Sequence, residues 1–261
     1  MKNQDIDHGK TFDWGRTSED YAKYRDIYPE EFYDKIIELG LCKKGQKVLD
    51  LGTGTGVLPF RLFKYGADFT GVDIAQNQIE HAKRLAQEKN MDISFLCSPA
   101  EELQFPDNTF DVVTACQCFF YFDPKLLLPK LSKMLKPGGR FAILYMEWLP
   151  EEDLVAGETE KLVLKYNPSW SGNGETRHQV PVPETELFTV EESLVFDLEV
   201  PFTWESWGGR IKACRGIGAS LSEEEIHAFD QEHQALLQKI TPQEFKILHF
   251  ASMLVLKNNK R

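Results

Sequence analysis

From about residue 46 to 147, short apolar runs alternate with segments whose apolar positions recur at helical spacing. This strand-then-helix rhythm predicts a parallel sheet with helices on both faces. Five strands follow from it, at 47–51 (KVLDL), 68–73, 93–96, 110–115 and 141–146. Between them, Leu58 and Leu62, then Ile79, Ala82 and Ala86, then Leu127, Leu131, Met134 and Leu135 mark the buried faces of helices. The KPGG sequence at 136–139 ends the last of these, because proline cannot continue a helix and glycine turns the chain at little cost.

Past 147 the rhythm weakens. A helix is expected over 151–164, then a turn-rich loop, YNPSWSGNGETRHQVPVP, over 166–183. Alternation resumes at 194–202 and 245–256, which brings the expected sheet to seven strands. Between these two strands Ser222 and Glu225 form a capping box, and Ile226, Phe229, His233, Leu237 and Ile240 repeat at a helical period. The stretch 204–240 therefore reads as a helical insert. Ahead of the first strand, Ser18 can start a helix carrying Tyr21 and Tyr24, and Pro29 can open another through Phe32, Ile36 and Leu39. The expected organisation is an N-terminal helical cap (1–45), a ligand-binding α/β core of Rossmann-like, doubly wound type (46–147), and a C-terminal part of the same domain (148–261) that adds lid helices and the last two strands.

Composition narrows the class of partner. The 261 residues are 42% hydrophobic, enough for a sizeable core. With 41 acidic against 30 basic residues the net charge is -11, which disfavours a nucleic-acid partner. The polar start, MKNQDIDHGK, has no signal-like apolar run, and no stretch reaches the ~20 apolar residues of a membrane span, so a cytoplasmic location is expected. Five cysteines without framework spacing suit free thiols in a reducing compartment, with no metal site expected.

The candidate chemistry lies in VLDLGTGTG, residues 48–56. Gly52, Gly54 and Gly56 follow a predicted buried strand, where open α/β sheets leave a crevice for ligands. A dinucleotide fingerprint would place a small residue where Val57 stands. Asp50 would moreover repel a pyrophosphate and attract a cationic amino-acid head.

This turn, acidic Asp73 in GVDIA, and AEELQFPDNTFDVV at 100–113 resemble the class I S-adenosylmethionine-dependent methyltransferases, within them the branch of the ubiquinone and menaquinone biosynthesis enzymes. The resemblance covers 46–147. It implies S-adenosylmethionine as cofactor and S-adenosylhomocysteine as product. It implies that Gly52, Thr53, Gly54 and Gly56 line the methionine part beside Asp50, and that Asp73 takes the ribose hydroxyls. Ile74 is then the adenine platform, the Ala100–Glu101 backbone meets the adenine edge, and Cys116 and Gln117 touch the methionine part. Where the family carries an aspartate for the adenine amino group, this chain has Pro99, so Ser98 or a carbonyl takes that contact. The N-terminal segment covers the cofactor in similar enzymes, which nominates Tyr24 and Arg25.

Phe119, Phe120 and Tyr121 fall beside the transferring methyl. Tyr21, Phe120, Trp170, Trp204, Trp207 and Arg210 are candidates for the substrate pocket, and His178 and Tyr121 for a catalytic group. The expected activity is methyl transfer to a small molecule. The alternatives are an RNA or protein methyltransferase, a non-enzymatic cofactor sensor, and an NAD-dependent oxidoreductase.

Overall fold

The computed structural model describes residues 7–10, 24 and 27–260. The proposed helix start at Ser18 and the candidates Tyr21 and Arg25 lie outside the described residues. One sheet contains strands β1 (Lys47–Leu51), β2 (Asp68–Asp73), β3 (Ser94–Cys97), β4 (Phe110–Cys116), β5 (Leu135–Trp148), β6 (Phe188–Thr203) and β7 (Glu244–Asn258). Their order is β3-β2-β1-β4-β5-β7-β6, and the five strands from β3 to β5 pair in parallel. The order reverses beside β1, whose neighbours are β2 and β4. This switch point opens the crevice where such sheets hold ligands.

The helices are α1 (Glu30–Glu38), α2 (Val57–Leu62), α3 (Gln76–Glu88), α4 (Pro124–Met134), α5 (Leu154–Tyr166), α6 (Trp204–Lys212) and α7 (Glu223–Ile240). Their starts have local causes. Asp123 caps α4 by accepting from Lys125 N, with Pro124 at the first position, where its missing N–H costs nothing. Asp153 caps α5 through Ala156 N, and capping boxes at Thr203/Ser206 and Ser222/Glu225 open α6 and α7.

Two compact units emerge. A sheet unit comprises Pro29–Met146, His178–Phe196 and Ala251–Arg261; a helical unit comprises Glu147–Arg177, Asp197–Phe250 and the described part of Met1–Tyr28. In the sheet unit, Leu49, Leu51, Val113, Phe141 and Ile143 of the central strands are buried with Leu127 and Leu131 of α4. In the helical unit α7 packs against α5 and α6, and Trp207 and Phe229 are wholly buried.

Two local readings need revision. β5 begins at Leu135 rather than at 141, because Leu135 already pairs with Phe110. The next ladder pair is Val112 with Arg140, so KPGG bulges out of the strand, helped by Gly138 at φ 68°. The helix expected over 151–164 is Leu154–Tyr166, since Asp153 takes the cap.

Candidate functional site

β1 runs into the glycine turn, whose three glycines have positive φ: 58° at Gly52, 56° at Gly54 and 86° at Gly56. That region costs other residues roughly 1–2 kcal/mol each. Space is also limiting, since a Cβ on Gly52 would lie 2.7 Å from Cys118 Sγ. Thr53 N donates to Val72 O at 2.9 Å, tying the turn to β2, and Gly56 N donates back to Thr53 O at 2.9 Å.

Asp73, at the end of β2, fastens the turn further. Its Oδ2 accepts from Gly54 N and its Oδ1 from Ala75 N, each at 2.9 Å. Each oxygen keeps a further lone pair, enough for a vicinal diol. Burial raises the Asp73 pKa, and the backbone N–H groups oppose the rise.

Asp50 is 2% exposed, and its Oδ1 accepts from Thr114 Oγ1 on β4 at 2.6 Å. Burial is the main cause that pushes its pKa up to about 6; the hydroxyls of Thr114 and Thr53 oppose the rise, and the charge of Asp73 adds to it. Among the described residues no cation pairs with this carboxylate. A buried anion held without a counter-charge suits a cationic ligand.

Beyond the strand ends, Ile74 is 63% exposed, unusual for a large aliphatic side chain. Ser98 N donates to Asp73 O at 3.0 Å and Ser98 Oγ to Pro99 O at 3.1 Å, which leaves the serine oxygen free to accept. Ala100 is buried at the head of a short 3-10 turn, and Glu101 Oε1 accepts from Asp123 N at 3.0 Å. At the end of β4, beside Cys116, Gln117 takes φ 60°. Its main-chain N donates to Leu144 O at 2.9 Å and its Nε2 donates to Met146 O. Its Oε1 is buried without a hydrogen-bond partner among the described residues. Such a group is an acceptor awaiting a donor.

Residues 49–143 match the family described as methyltransferase domain. The chain is 35% identical over 107 residues to the ubiquinone biosynthesis O-methyltransferase of Coxiella burnetii, covering 41% of this chain and 46% of that protein. It is 37% identical over 113 residues to the demethylmenaquinone methyltransferase of Thermus thermophilus, covering 42% and 51%. The chain spans about half the length of the curated relatives it matches. The YcgJ protein of Bacillus subtilis shares the fold, with a TM-score of 0.54 and 20% identity over 89% of this chain and 100% of that one.

An aromatic cluster follows β4. Phe119 packs edge-on against Phe141 at 5.6 Å, while Phe120 lies 4.1 Å from Tyr121 and stacks on Tyr145 at 5.9 Å. Phe120 remains 43% exposed. Tyr145 was not singled out in the sequence, although its place near the end of β5 could have flagged it. His178 is exposed in its loop.

The remaining candidates fall in the helical unit. Tyr24 packs its ring against Gly209 and donates its hydroxyl to Glu205 Oε1 at 2.9 Å. Trp170 is buried, with room for its ring made by Gly172 and Gly216. Trp207 is wholly buried and donates Nε1 to Thr159 Oγ1 at 3.0 Å. Arg210, 2% exposed, holds its guanidinium 5.2 Å over the Trp148 ring and donates Nη1 to Cys214 Sγ at 2.8 Å. Desolvating such an ion costs several kcal/mol, and a cation–π contact returns about 2 kcal/mol. Among the described residues, Arg210 has no carboxylate to compensate its charge.

Two further buried groups escaped the sequence. Glu160, 6% exposed, accepts from Trp148 Nε1 at 2.7 Å and from Gly174 N at 2.9 Å, and burial raises its pKa. An acid on the apolar face of α5 was the available signal. His249 accepts no proton readily: burial lowers its pKa to about 4, opposed by its hydrogen bond to the Ile247 carbonyl. Nothing in the local pattern of β7 distinguishes it from a packed residue.

Proposed function

We propose that the chain is an S-adenosylmethionine-dependent methyltransferase that transfers a methyl group by in-line displacement to a small-molecule acceptor. The observation that carries this reading is Asp50, a buried carboxylate without a counter-charge beside a glycine turn that leaves no room for side chains. A pyrophosphate would be repelled there; the ammonium of an amino-acid moiety supplies the missing charge. The residues present fit the cofactor in three further respects: the spare lone pairs of Asp73, the exposed Ile74 and the unpaired Oε1 of Gln117.

S-adenosylmethionine supplies an already activated sulfonium methyl. The chain's own tasks are binding, alignment and exclusion of water, and alignment alone accounts for roughly 7–11 kcal/mol in favourable cases. Asp50 holds the ammonium and Asp73 the ribose diol. Ile74 offers an apolar face to the adenine, and Ser98 an acceptor for its amino group. Phe120, Tyr121 and Tyr145 form the aromatic wall from which water is excluded. No helix among the described residues is long and apolar enough to cross a membrane; the reading is of a cytoplasmic enzyme acting on a small molecule.

The test is a thermal shift with S-adenosylmethionine, S-adenosylhomocysteine and NAD in parallel. A ligand at a hundred times its dissociation constant adds about 2.7 kcal/mol, or several degrees for a chain of this size. Shifts with the two sulfur ligands and none with NAD are expected. A shift with NAD alone would overturn the reading in favour of a dinucleotide enzyme.

A further inference from the structure

In the helical unit, two polar groups of one aromatic cluster, Arg210 Nε and His249 Nε2, are buried without a hydrogen-bond partner among the described residues, as is Trp204 Nε1 at the start of α6. Trp204, Trp207 and Arg210 recur every third residue on one flank of α6. The Arg210 guanidinium lies 5.2 Å over Trp148, whose ring meets Trp207 at 5.4 Å and His249 at 6.3 Å. Phe202 lies against both Trp207, at 4.9 Å, and His249, at 6.0 Å.

The neighbouring cations make a useful contrast. Lys212 is paired with Asp230 at 3.0 Å, and Arg215 with Asp7 at 2.8 Å. Arg210 is buried deeper than Lys212 and has no carboxylate partner among the described residues. A buried cation with no carboxylate partner among the described residues suits an anionic ligand.

We infer that Arg210, with the rings of Trp148, Phe202 and Trp207, forms a binding site for a small organic carboxylate with an apolar, preferably aromatic, body. The Arg210 Nε–H, without an acceptor among the described residues, offers a donor to a carboxylate oxygen, and a single cation matches its single charge. A phosphate dianion would require a second cation, and the nearby Lys212 is already engaged. His249 adds selectivity. Its Nδ1 faces the Ile247 carbonyl at 2.9 Å, which places the proton on Nδ1 and leaves Nε2 as an acceptor. A ligand bearing a hydroxyl or amine as well as the carboxylate gains one hydrogen bond there.

The test follows tryptophan fluorescence of the full-length chain during titration with benzoate, benzamide and inorganic phosphate, with calorimetric titration of S-adenosylhomocysteine alongside. Saturable quenching by benzoate is expected, with at least tenfold weaker effects of benzamide and phosphate. Arg210→Gln should weaken benzoate at least tenfold and leave S-adenosylhomocysteine affinity unchanged. If that variant does not fold, the benzoate-to-benzamide contrast in the wild type decides. Equal binding of benzoate and benzamide, equal binding of phosphate, or no saturable signal would each overturn the site. A chain that binds benzoate but not S-adenosylhomocysteine keeps this site and loses the methyl-transfer reading, and the converse result does the opposite.

Discussion

Asp50→Asn separates the cost of a buried charge from its use. The carboxylate has a folded-state pKa of about 6 against an ordinary 3.8. At 1.36 kcal/mol per pH unit, keeping it ionised at pH 7 costs the folded chain about 3 kcal/mol. Because the folded value lies above the unfolded one, the contribution of Asp50 is fully present below pH 3.8 and is lost as pH rises through about 6. The amide is neutral at every pH and can still accept from Thr114. Without ligand, Asp50→Asn should therefore melt higher than wild type at pH 7, by roughly 5–10 °C for the full 3 kcal/mol, and the gap should close near pH 4. Its affinity for S-adenosylhomocysteine should fall, since hydrogen bonds to charged groups contribute about 1.5–3 kcal/mol, or roughly 10- to 150-fold. The assay is differential scanning fluorimetry across pH 4–8 with and without ligand, backed by calorimetric titration. Identical melting of the two proteins at pH 7 would refute the buried, uncompensated charge. Unchanged affinity would refute its role toward the ammonium.

Three other outcomes are expected. Gly52→Ala combines a φ of 58° with a Cβ 2.7 Å from Cys118 Sγ, so it should cost about 1–3 kcal/mol by urea unfolding, and adding Cys118→Gly should recover only the steric part. His233 and His249, both buried with pKa values lowered to about 4, each contribute stability that is present above pH 6.5 and lost as pH falls through 4, about 3 kcal/mol apiece. On going from pH 6.5 to 4 the urea midpoint of His249→Gln should therefore fall less, or rise more, than that of the wild type. Ser222→Ala removes the acceptor for Glu225 N and should cost about 1 kcal/mol of stability, with cofactor affinity untouched.

The parts of the fold legible in the sequence are those whose cause is local. β1 and β2 match their expected limits because apolar runs end there in Asp50-Leu51 and Asp73, against glycine and polar residues. The capping box of α7 was visible because its two residues are three apart. The start of β5 was not, since proline and glycines read as a stop, and only the partner strand reveals that Leu135 already belongs to the sheet. The glycine turn and Asp50 were legible because few chemistries need that combination after a buried strand. The left-handed backbone of Gln117, the uncompensated charge of Arg210 and the trapped lone pair of His249 were not. Each depends on which groups are absent from the surroundings, and sequence spacing carries no record of an absence.

The two hydrogen bonds accepted by Asp73 bear on the kinetics of recognition. Three glycines in nearly consecutive left-handed conformations would otherwise sample many arrangements, because glycine has the most conformational freedom to lose. With Gly54 N and Ala75 N already anchored to one carboxylate, much of that ordering entropy is offset within the fold. A ligand then meets a preorganised cradle, so its association is governed by encounter rather than by rearrangement of the turn, and the observed rate rises linearly with concentration. In the proposed reading the same carboxylate sets the speed of capture as well as its selectivity.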